Sequence, residues 1–101
     1  MTKVIVSSNN GFITKIEIQG HSGYAKAGSD IVCSAVSSTC EVVVRILEGY
    51  GKVDCVIDGA NTDITVNIKN PNEMTNHILN TYVEYLCDLS QEYEKYLKIY
   101  K

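Results

Sequence analysis

At 101 residues, with 45% apolar and 21% charged residues, the chain has the composition of an ordinary soluble globular protein, enough for one core and one domain over residues 1–101. A formal net charge of −3 and the lack of a dense Lys/Arg cluster argue against direct nucleic-acid binding, while an acidic balance tolerates a basic polypeptide. No apolar run approaches the ~20 residues of a membrane span, and the opening Met1–Ser7 is too short and interrupted for a secretion signal, so a cytoplasmic protein is expected.

Residues 3–6 and 12–19 are β-rich runs separated by Ser8-Asn9-Asn10-Gly11, and Asn10-Gly11 is a strong tight-turn signal for a hairpin. In the second run Phe12, Thr14, Ile16 and Ile18 share one face, opposite Ile13, Lys15, Glu17 and Gln19. Residues 20–29, rich in glycine, read as a loop. Ser29 or Asp30 can cap the helix that follows. Its apolar set, from Ile31 and Val32 through Val36, Val42, Val43, Ile46 and Leu47, has helical spacing and predicts burial on most sides, with Gly49 or Gly51 as the stop. Lys52–Asp58 and Asp63–Lys69 form a second strand pair. Asn70 as N-cap, Pro71 at the first helical position and Glu73 at the third then start a last helix, whose apolar positions continue through Tyr93, Tyr96 and Leu97 almost to the C-terminus. The expected fold is α+β: a mostly antiparallel four-stranded sheet with two helices, in the order β-β-α-β-β-α.

Chemistry concentrates between Gly20 and Ser37. A cap at Asp30 places Cys33 at the third helical position, where unpaired backbone N–H groups and the helix dipole favour a thiolate. His21, at the end of a strand, could be brought near by the loop, take the thiol proton and return it to a leaving group. Against this stand blander readings: Cys33 as a small buried hydrophobe, His21 as a surface loop residue, and Asp30 as a helix cap only. Ser37 lies on the Cys33 face one turn later. Cys40 sits about 10 Å beyond Cys33, too far for a disulfide, and Cys40, Cys55 and Cys87 read as free structural thiols in a reducing compartment. His77 reads as solvated. The His, Cys and Asp positions form no recognised metal-ligand spacing, so no metal or other cofactor is expected.

Gly20-His21, followed a dozen residues later by Asp30-Ile31-Val32-Cys33 with Ala35 and Ser37, resembles the Prp family of bacterial ribosomal-processing cysteine proteases. The resemblance extends to chain length, element order and the long last helix. It implies a dimeric cytoplasmic endopeptidase that removes the N-terminal extension of a large-subunit ribosomal protein. It also implies Cys33 as nucleophile, His21 as general base and acid, Asp30 as its assistant, and Gly20 and Ser37 as residues that shape the substrate site. Ser22 and Ser34 stand where the family often has alanine; both are small and keep access open. The alternatives are a non-catalytic, ribosome-associated peptide-binding module and, more remotely, a redox sensor built on Cys33.

Overall fold

The computed structural model describes residues 1–20, 27–58 and 63–101. Strands β1 (Thr2–Asn9) and β2 (Phe12–Gln19) form a hairpin that turns at Asn10-Gly11, both with positive φ (54° and 83°), as the dipeptide predicts. Helix α1 (Ala27–Gly49) leads to β3 (Val53–Asp58), which pairs antiparallel with β4 (Asp63–Ile68). Helix α2 (Glu73–Glu92) then returns the chain to β5 (Leu97–Tyr100). The sheet order is β3-β4-β2-β1-β5.

The fold therefore differs from the four-stranded expectation by a fifth strand, and β5 runs parallel to β1. The last helix stops at Glu92, where the Tyr93 N–H closes on the Leu89 carbonyl, and a turn over 93–96 swings the chain back to the sheet. Tyr93, Tyr96 and Leu97 satisfy a helical spacing, but Leu97 and Ile99 also satisfy the period of two, and pairing with β1 decides for the strand. The helix start also moves. Asn72, not Asn70, is the N-cap: its Oδ1 accepts from the Thr75 N–H at 2.9 Å, and Thr75 Oγ1 accepts from the Asn72 N–H at 2.9 Å. Asn70 instead adopts φ 48° to turn out of β4, a conformation incompatible with the extended backbone of a cap.

Both helices lie on one face of the sheet. Val4, Val6, Ile16, Ile18, Val53, Val66 and Leu97 point under them, whereas Lys3, Asp54, Asn67 and Lys98 line the solvated face. A bulge refines the alternation read in β2: Ser7 pairs with Lys15 but Ser8 pairs with Ile13, leaving Thr14 as the extra residue. The slip carries Ile13 into the core beside Ile16 and Ile18 and moves Thr14 off their face. Helix α1 is less enclosed than its composition predicts. Val32, Val36, Cys40 and Leu47 are buried, but Ile31 and Val42 are 56% and 58% exposed.

The two helices are joined by a buried tyrosine. The Tyr82 hydroxyl donates to the Val36 carbonyl at 2.9 Å, and its oxygen lies 3.2 Å from Thr39 Oγ1. Burial pushes the neighbouring Cys40 thiol up to about 11, helped by the nearby Cys55, and burial likewise pushes Tyr82 upward. Below pH 9 both groups keep their protons in the folded and the unfolded chain. As pH rises from 9 to 11 the unfolded chain loses them first, so this share of stability falls, by about 2 kcal/mol for Cys40. The urea midpoint is expected to drop over that range, and to drop less in Cys40→Ala; equal slopes for the two proteins would refute the assignment.

Candidate active site

Cys33 lies on α1, half-buried, with its Sγ 3.5 Å from the hydroxyl of Thr2 at the start of β1. The helix begins at Ala27, so Cys33 occupies its seventh position rather than its third. The expected capping by Ser29 or Asp30 is not how the helix starts, because both already lie within it. Cys33 is therefore about 9 Å along the axis from the first helical residue. The unpaired amides and the dipole field act mainly over the first turn, so neither thiolate formation nor an oxyanion hole at Cys33 follows from the helix start.

Of the loop expected over residues 20–29, residues 27–29 belong to α1, and His21 with the rest of 21–26 lies outside the described residues, as does the side chain of Asp30. The approach to His21 is nevertheless defined. Gly20 directly follows β2 with φ +72°, its N–H donates to Asp63 Oδ1 at 3.1 Å, and a Cβ built there would meet the Met1 carbonyl oxygen at 2.9 Å. Only glycine fits that close backbone approach without a shift. The Thr2 N–H in turn donates to the Tyr96 carbonyl at 2.9 Å, tying the start of β1 to the turn before β5. The first two residues of the chain thus touch both the residue before His21 and the thiol of Cys33.

Ser37 is exposed, one turn beyond Cys33, at one end of a groove of about 660 Å³ between α1 and the β3–β4 pair. Glu41, Val44, Glu48 and Cys55 line its length. Burial raises the Cys55 thiol, and Glu48 adds to the rise. The four cysteines are free thiols. His77 is exposed on α2, as expected. Among the described residues no three His, Cys, Asp or Glu side chains gather as a metal site, and no helix is long and apolar enough to cross a membrane.

Sequence reasoning missed Thr2. Its signal is a polar residue on the inward-facing series Thr2, Val4, Val6 of β1, which leaves a buried hydroxyl in need of a partner. No sequence pattern joins position 2 to position 33.

Over residues 1–98 the chain matches the protein family described as cysteine protease Prp. The solved structure of an essential ribosomal processing protease Prp from S. aureus in complex with a substrate peptide superposes with a TM-score of 0.90 at 24% identity, covering 100% of each chain. A second S. aureus Prp structure, with a covalently linked product peptide, gives 0.86 at 23% identity and covers 99% of this chain and 98% of that one. A protein from Streptococcus mutans gives 0.86 at 20% identity, over 99% and 92%. No curated protein sequence matches the chain.

Proposed function

The chain belongs to the Prp cysteine protease family, and from that premise we propose that it is a single-domain endopeptidase that removes the N-terminal extension of a large-subunit ribosomal protein. Its S. aureus relatives are ribosomal processing proteases held with a substrate peptide and with a covalently linked product peptide, which supports both the substrate class and a covalent route. The observation that carries the reading to this chain is the half-buried Cys33 thiol beside the start of β1, where Gly20 delivers the chain to His21.

In the proposed cycle His21 takes the proton from Cys33 Sγ. The thiolate attacks the scissile carbonyl carbon, an S–C bond forms, and the carbonyl electrons move to oxygen. Collapse breaks the C–N bond, and His21 gives its proton to the leaving amine. A water then loses a proton to His21 and attacks the thioester, the acid product leaves, and His21 returns the proton to Cys33. Because α1 starts three residues before Asp30, the helix does not need that carboxylate as its N-cap, which supports a role in orienting His21. Gly20 sets the strand exit, and Ser37 stands at the groove mouth where substrate would pass.

A homodimer is part of the proposal. Val42, Ile46 and Tyr85 expose apolar surface beside a groove between α1 and α2, of the kind that a second copy covers. A cytoplasmic location agrees with the free thiols.

The test is incubation with a peptide spanning the N-terminal extension of the large-subunit ribosomal protein and with a scrambled version, read by mass spectrometry. A single cut in the first peptide alone is expected. Binding without cutting would instead identify a peptide-binding module, and cutting of both peptides alike would remove the substrate assignment.

A further inference from the structure

We propose that Thr2 is the positioning residue of the Cys33 nucleophile. The inference rests on the peptidase reading above and adds to it a group that neither His21 nor Asp30 supplies. Thr2 is 3% exposed and shares the inward row of β1 with Val4 and Val6. Valine fills that row elsewhere, so packing alone gives no reason for a hydroxyl at its end. The hydroxyl lies 3.5 Å from Cys33 Sγ, and Thr2 itself is fixed by its strand pairing with Leu97 and by its N–H bond to the Tyr96 carbonyl.

A hydroxyl can serve sulfur in both protonation states. It accepts from the thiol at rest, and it rotates to donate once His21 has removed the proton. The second bond is charge-assisted and the first is weak, so the hydroxyl is placed to hold the charge that develops on the sulfur as it attacks. It also selects one side-chain rotamer of Cys33, which otherwise has no first-turn amide to hold it. The rigid partner matters here: the sheet places the hydroxyl, and the helix brings the sulfur to it. This donor takes the place of the helix N-terminus, which lies about 9 Å away, beyond the first turn.

The test compares Thr2→Val and Thr2→Ser with the natural protein. Each is assayed for the rate at which iodoacetamide alkylates Cys33 at pH 7, for kcat and KM on the ribosomal-protein peptide, and for melting temperature. Thr2→Val keeps the shape and removes the hydroxyl, so melting is expected to stay level or rise. Alkylation of Cys33 and kcat are each expected to fall about tenfold, the size of one hydrogen bond to a charged group, with KM unchanged. Thr2→Ser is expected to return both rates to within about twofold of the natural protein, since it restores the donor. Unchanged alkylation and kcat in Thr2→Val would overturn the proposal. So would a lowered melting temperature with rates that Thr2→Ser does not rescue, which would mark Thr2 as structural only. If the natural protein does not cut the peptide, the peptidase reading fails separately, and the alkylation comparison still decides the role of Thr2.

Discussion

Cys33→Ala is expected to lower kcat/KM for peptide cleavage by about 10⁴-fold or more while the melting temperature moves by only a few degrees. The two halves of that expectation have different origins. In the proposed mechanism, loss of the sulfur removes the atom that forms the covalent intermediate, and what survives is substrate binding and whatever oxyanion stabilisation the site provides. The fold is little affected because Cys33 is only half-buried, and the core beneath it is held by Val32 and Val36, which are 0% and 1% exposed. Truncation to alanine within a helix also keeps a favourable helix former at that position. Chromatography of the peptide products and thermal melting by circular dichroism measure both halves. Residual cleavage within tenfold of the natural protein would take the nucleophile away from Cys33.

Gly20→Ala is expected to destabilise the protein by about 2 kcal/mol, and so lower its melting temperature by roughly 10 °C, and to reduce cleavage by about 100-fold. The stability cost combines the left-handed backbone, at φ +72°, with the new Cβ, which would sit 2.9 Å from the Met1 carbonyl oxygen. That neighbour is backbone directly before β1, an interior strand of the sheet, so relief requires the strand end itself to move. The catalytic cost follows because the next residue is His21, the base of the proposed mechanism, and an ångström of displacement at a base is enough to slow proton transfer. Gly11→Ala is the matched control. It also has positive φ, +83°, but nothing lies within 4 Å of its Cβ position, so about 1 kcal/mol of destabilisation and full activity are expected. Equal effects for the two glycines would mean that the close approach at Gly20 carries no function.

What the sequence disclosed depended on how local each signal was. Asn10-Gly11 determines its hairpin through two residues' own backbone preferences, and the structure follows it. The segment from Gly20 to Ser37 was sufficient to place the chain in its family, because Gly20-His21 and Asp30-Ile31-Val32-Cys33 at that spacing are not a generic pattern. The errors arose where local signals compete. Asn70 and Asn72 flank Pro71, and both are good caps; the choice fell to Asn72 because leaving β4 requires the left-handed turn at Asn70. Ser29 and Asp30 are strong caps too, yet α1 starts at Ala27, and the whole electrostatic setting of Cys33 shifts with that start. Strand β5 was hidden because its four residues owe their conformation to β1 at the other end of the chain, while their own spacing extends the helix before them. Thr2 was hidden for the same non-local reason.

The most direct measurement is acid quenching of the protein during turnover of the ribosomal-protein peptide, followed by intact mass and proteolytic mapping. The account predicts a transient adduct whose mass equals the N-terminal peptide fragment less the elements of water, carried as a thioester on Cys33, and its absence in Cys33→Ala. Such an adduct on Cys40, Cys55 or Cys87, or cleavage that proceeds in Cys33→Ala, would contradict it.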